Sequence, residues 1–306
     1  MLGAWRRVIG RAATVAAVPV RIGYRAGMSI AVVTDSTACL PAELVARDGL
    51  TVVPLIVAIG GMQGREGIDV SSADVARALT ARRLAVTTSR PSPAELAEVY
   101  QGLLAGGATG IVSVHLSAKL SGTYDAAVLA AASHPGRVEV VDSRSTGMGL
   151  GFPALHARGD DPVEARDAAL AAVGRTTTLF YVDTLEYLRR GGRIGPASAL
   201  LGTALSVKPI LHMVDGEIVV RDKVRTATRA MGRLVDLAAE AAGLSDVDIA
   251  VHHLAAPERA AELLAALTDR LGTRIRTRYQ TEIGAAIGAH VGPGTVSVVV
   301  HTRSTV

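Results

Sequence analysis

The sequence predicts an α/β protein built as two α/β domains with a ligand cleft between them. The first, residues 28–158, is expected to hold a largely parallel sheet, and the second, 159–306, a mixed one. Three observations carry this. Apolar strand-like runs alternate with amphipathic or alanine-rich segments, which is the pattern of βαβ units. A chain of 306 residues has room for two cores of ordinary size. The run "VKPILHMVDGEIVV" (207–220) turns on Asp215–Gly216, a hairpin signal, so some pairing in the second half is antiparallel.

The elements follow in order. "IAVVTD" (30–35), "TVVPLIVAI" (51–59), "GIVSVHL" (110–116) and "RVEVVD" (137–142) read as buried strands. Helical patterns lie between them at 41–48, 72–83, 93–105 and 121–133. The helix at 93 has a clear start, with Ser92 as cap, Pro93 in the first turn and Glu95 completing a capping box. From 159, "GDDPVEARDAALAAVGR" reads as a loop and a helix, and "TTLFYVD" (177–183) as a strand. After the hairpin come helices at 226–242 and 257–271, with strands at 247–253, 273–279 and 295–301.

Composition narrows the function. Aromatics are 3% of the chain, too few to stack the bases of single-stranded nucleic acid. Residues 1–27 carry five arginines and no acid, and the rest is near neutral without a long basic run, so no nucleic-acid partner is expected. Cys39 is the only cysteine, compatible with a reducing cytoplasm. Residues 1–27 lack the order of a secretory signal, and their apolar run "AATVAAVPV" is too short to span a bilayer. They read as an N-terminal extension, disordered or translated from a non-native start, with a basic membrane-surface helix as the alternative. No stable membrane insertion is expected.

Four loops are rich in hydroxyls and glycine: "TDSTACLP" (34–41), "TTSRPSP" (87–93), "LSAKLSGTY" (116–124) and "DSRSTGMGLG" (142–151). Ligands of parallel α/β sheets bind at the carboxyl ends of the strands, where such loops fall. Ser121 stands where it can cap a helix, and a helix N-terminus holds anions. Thr88 has no helix role as evident as that of Ser92 and offers a second hydroxyl. Hydroxyls and amides without a fixed cation suit a carboxylate that is gripped and not transformed. The rival reading is a serine-dependent esterase or phosphotransferase using Ser121, although "KLSGT" lacks the first glycine of G-x-S-x-G. No Walker loop is present, and "GMGLG" (147–151) carries Phe152 where a dinucleotide loop needs its third glycine. His252 and His253 are neighbours on a strand and point to opposite faces, which argues against a shared metal.

Seven blocks then resemble one family in family order: "VTDSTACLP", "TTSRPSP", "HLSAKLSGTYDAA", "VVDSRSTGMGLGF", "VDTLEYLRRGGRIG", "LSVKPIL" and "DKVRTATRA". The chain resembles the DegV family of bacterial fatty-acid-binding proteins from about Ile30 onward. Arg90 departs from the glutamine common there. The resemblance implies two α/β domains enclosing one long-chain fatty acid, no other cofactor, and no catalysis by the protein alone. It implies that Thr88 and Ser121 hold the carboxylate, that His290 in "GAHVGPGT" joins them, and that a separate ATP-dependent fatty acid kinase is the partner. Burying about fourteen methylenes at roughly 0.8 kcal/mol each gives on the order of 11 kcal/mol gross, so the tail supplies retention and the hydroxyls orientation. A carrier that offers an acyl phosphate needs cations near the mouth. Arg193 and Lys208 are the candidates for that partner or phosphate contact; a solvated turn is the alternative for the basic block from Arg189 to Arg193.

Overall fold

The computed structural model describes residues 30–81, 84–200 and 207–304, so the expected extension at 1–27 lies outside the described residues. In chain order the elements are β1 (Ile30–Asp35), α1 (Ala42–Asp48), β2 (Thr51–Val53), β3 (Ile56–Ile59), β4 (Met62–Arg65), α2 (Ser72–Ala81), β5 (Val86–Ser89), α3 (Pro93–Ala105), β6 (Gly110–His115), α4 (Thr123–Ala131), β7 (Val138–Asp142) and α5 (Met148–His156). There follow α6 (Pro162–Gly174), β8 (Thr176–Tyr181), α7 (Glu186–Arg190), β9 (Lys208–Val214), β10 (Glu217–Val224), α8 (Ala227–Ala242), β11 (Val247–His253), α9 (Pro257–Leu271), β12 (Ile275–Glu282), α10 (Ala285–Val291) and β13 (Val296–Thr302).

The first sheet has the order β2-β1-β6-β7 and is wholly parallel. Burial on both faces explains why β1 and β6 are mainly apolar, with their polar residues Thr34, Asp35, Ser113 and His115 fully buried. Leu96, Tyr100 and Leu103 of α3 pack on one face with Ala126 and Ala127 of α4. Leu150 and Ala154 of α5 cover the other, with Ala165 and Ala169 of α6. Thus α6, which follows the expected boundary at 158, packs on the first sheet. Its alanines and the bare Gly110 make this possible, since a Cβ at Gly110 would sit 2.3 Å from the Pro162 ring. The capping box at Ser92 and Glu95 forms as expected.

The second sheet is mixed, with the order β10-β9-β8-β13-β11-β12 and only β11 and β12 parallel. Asp215 and Gly216 both take positive φ, 49° and 85°, as the hairpin turn requires. Helices α8 and α9 cover one face through Leu234, Leu237, Leu263 and Leu267. The other face looks toward the first sheet's loops.

Several elements depart from expectation: β4, β5, α5, α7 and α10 are not among the expected strands and helices, and the run 51–59 is expected as one strand. The run 51–59 is two strands, because Pro54 has no N–H for the ladder and the chain changes sheets there. Strand β3 joins β4 and β5 in a small antiparallel sheet, turning on Gly60–Gly61 at φ 59° and 86°. This sheet, with Val75 and Ala78 of α2, packs against Ala285, Ala286 and Ala289 of α10.

Candidate functional site

The three sheets and their loops enclose a cavity of about 240 Å³, against the ~10–15 Å³ that houses one water, so it admits a ligand. Its floor is the free face of the mixed sheet. Phe180 of β8, Ser297 of β13 and His252 of β11 stand side by side in register, and Met213 pairs with Ile218 across the hairpin. All four hydroxyl-rich loops contribute: Thr37 and Cys39, Thr88 to Arg90, Leu120 to Gly122, and Thr146 with Gly147. Helix α10 closes the wall with Ala286, Ile287, His290 and Val291. The surface it exposes is mainly apolar, interrupted by hydroxyls, two imidazoles and two arginines.

Three expected residues meet here. Thr88 lies on β5 and not in a loop; the strand aims its hydroxyl at His290 Nε2, 2.8 Å away. Ser121 is not the cap of α4, which starts one residue later with Gly122 at its N-cap and no side-chain cap bond. Its Oγ instead lies 2.9 Å from Thr123 Oγ1 and accepts the Thr123 N–H at 3.4 Å. Burial first, and then the nearby Arg193 guanidinium, push the His290 pKa down to about 4. The imidazole is therefore uncharged at pH 7. Its Nδ1 is buried and has no partner among the described residues. A Cβ at Gly191 would lie 2.1 Å from that nitrogen, so glycine lets the end of α7 abut the ring.

The basic block divides. Arg193 turns inward, lines the cavity, and donates to the carbonyls of Leu120 at 3.0 Å and Gly191 at 2.5 Å. Arg189 and Arg190 face solvent and pair with Glu186, whose carboxyl the Arg189 hydrogen bond holds down to about 2. Lys208 is outside the cavity lining and donates to the Asp183 carbonyl at 3.0 Å. Arg90, the departure from family pattern, reaches the Gly122 carbonyl at 3.3 Å, bracing the loop behind Ser121.

Among the described residues no imidazole or carboxylate hydrogen-bonds to Ser121, so they offer its hydroxyl no general base. A hydroxyl–imidazole–carboxylate chain does exist elsewhere, and sequence reasoning missed it. Ser113 Oγ lies 2.8 Å from His115 Nε2, and His115 Nδ1 lies 3.0 Å from Asp35 Oδ2. Tyr100 donates to Ser113 at 2.8 Å. The whole chain is buried at 0% exposure beneath the first sheet, where no substrate reaches it. The signal available was the alternation of Ser113 and His115 on one strand face. His252 is buried and both its nitrogens are used: Nε2 accepts the Met148 N–H at 3.0 Å, and Nδ1 meets Thr281 Oγ1 at 2.6 Å. His253 is only half-buried on the opposite face. Among the described residues no three His, Cys, Asp or Glu side chains are grouped for a metal ion, and no helix is long and apolar enough to cross a membrane.

An α/β scaffold around a mainly apolar cavity, with Thr88, His290 and Ser121 on its wall, is the architecture of a small-molecule-binding class of protein. The family model described as "Uncharacterised protein, DegV family" matches residues 29–303, and the chain belongs to the DegV family. A DegV domain-containing protein of Streptomyces coelicolor is 52% identical over 279 residues, covering 90% of this chain and 99% of that one. The solved DegV family protein of Thermus thermophilus, described by its fatty acid binding, superposes with a TM-score of 0.83 at 34% identity, over 90% of this chain and 100% of its own. DegV of Bacillus subtilis, described as a fatty acid binding protein, gives a TM-score of 0.81 at 31% identity, again over 90% and 100%.

Proposed function

We propose that the protein is a cytoplasmic carrier that sequesters one long-chain fatty acid and presents its carboxylate to a separate ATP-dependent kinase. The observation that carries the reading is the pairing of Thr88 with His290 on the wall of a cavity whose exposed surface is mainly apolar and which Ser121 also lines. In this reading the carboxylate accepts from the Thr88 and Ser121 hydroxyls, and His290 orients Thr88. Arg193 stands beside them and supplies the positive charge that the hydroxyls lack. The fatty-acid-binding relatives of the same fold support the ligand class. In the kinase step a carboxylate oxygen attacks the γ-phosphorus of ATP, the bond to the bridging oxygen breaks, and ADP leaves. Arg193, together with Lys208, meets the new phosphate or the partner.

Purified protein extracted into organic solvent should yield close to one long-chain fatty acid per chain by mass spectrometry. Protein that carries none, and binds none when it is added, would overturn the reading. Release of acid from an ester or thioester by the protein alone would favour the serine enzyme instead.

A further inference from the structure

The cavity holds a second polar corner that shares no hydrogen bond with the Thr88–His290 pair among the described residues. His252, Ser297, Thr178 and Thr146 form it, and all four line the cavity. His252 faces Ser297 across the β11–β13 pairing, so their side chains stand about 5 Å apart on the floor. A Cβ at Gly147 would lie 3.2 Å from His252 Nε2, which brings the adjacent Thr146 to the same corner.

The hydrogen bonds there are incomplete. His252 has spent both nitrogens on Met148 and Thr281, and Thr178 shares a 3.0 Å contact with Ser145. Two hydroxyls remain. Thr146 Oγ1 is buried with no partner. Ser297 is 7% exposed, and its side chain makes no hydrogen bond among the described residues. A plain alkyl chain would lay methylenes against both, and an unpaired buried hydroxyl is costly. A chain bearing its own oxygen at that depth would satisfy them. We propose that this corner is a subsite for an oxygenated acyl chain: the preferred ligand is a long-chain fatty acid with a hydroxyl along the chain, bonded to Ser297 and Thr146. This rests on the fatty-acid reading above.

The test compares octadecanoic acid with a positional series of monohydroxy-octadecanoic acids, by displacement of a fluorescent fatty acid from delipidated protein. One isomer should bind wild type about tenfold tighter than the parent acid, the effect of one well-made hydrogen bond. Isomers hydroxylated elsewhere should bind more weakly than the parent. In the Ser297→Ala/Thr146→Val double variant the order should invert, with octadecanoic acid gaining affinity as its methylenes meet apolar groups. Each single variant should lose part of the preference, and thermal unfolding verifies that all are folded. If no isomer exceeds the parent acid, or if the preference survives in the folded double variant, the subsite is refuted. Failure of wild type to bind octadecanoic acid and every isomer would instead refute the fatty-acid reading itself.

Discussion

Two of the hydroxyl–imidazole assemblies among the described residues differ in one respect that decides their roles. Asp35, His115, Ser113 and Tyr100 form a continuous chain with every side chain buried. Thr88, His290 and Ser121 form a looser group with one direct contact and an unpartnered nitrogen, on the wall of a cavity. By residue type the first looks more like catalytic machinery. By exposure only the second can meet a ligand. A saturated, enclosed network ties a core together, whereas an incomplete one on a cavity is ready to bind. Asp35 links the two regions mechanically: besides His115 it accepts the N–H groups of Thr37 and Leu116, both of which line the cavity.

The largest expected effect breaks the buried chain. Asp35→Ala strands the His115, Thr37 and Leu116 donors in the interior, and should cost about 3–5 kcal/mol by urea unfolding. A loss below about 1 kcal/mol would mean that the network does not hold the core. The cavity group should respond in the opposite way. Thr88→Ala with Ser121→Ala should keep stability within about 1 kcal/mol of wild type while weakening fatty-acid retention tenfold or more. Unchanged retention would remove both hydroxyls from the site.

Acid should sharpen the comparison next. Burial depresses His252 and His290 to about 4, and His301 likewise, so these rings stay uncharged in the folded protein while the unfolded chain protonates near 6.5. Between pH 6.5 and 4 the unfolded state binds more protons, and stability must fall as pH falls. A melting-temperature series should show that decline, shallower in His290→Gln; a flat profile would contradict the burial of these rings.

Arg193→Ala should act through chemistry more than folding. It should slow phosphorylation by a cognate kinase and flatten the salt dependence of the rate, since docking by charge is screened. NMR titration should also find the His290 pKa moved up toward its ordinary range, because Arg193 is one cause of the depression. The smallest effect sets the baseline. Arg189→Ala and Arg190→Ala remove solvent-facing partners of Glu186 and should leave melting temperature and lipid content unaltered.

Sequence alone determined the alternation of strands and helices, the hairpin at Asp215–Gly216, the capping box at Ser92 and the four polar loops. Each is a local matter: periodicity, turn chemistry and capping depend on residues within a few positions of one another. It also singled out Thr88, Ser121 and His290, which line the cavity, through ordered family blocks more than through spacing. Only the tertiary structure decided that Thr88 sits on a strand of a third, small sheet, that α6 packs back on the first sheet, and that Arg193 turns inward while Arg189 and Arg190 turn out. It alone distinguished the buried Ser113–His115–Asp35 chain from the site. The Thr88–His290 contact joins residues 202 positions apart, and the burial that sets the His290 charge comes from elements scattered along the whole chain. Such long-range contacts arise from how layers pack, and no local pattern encodes them.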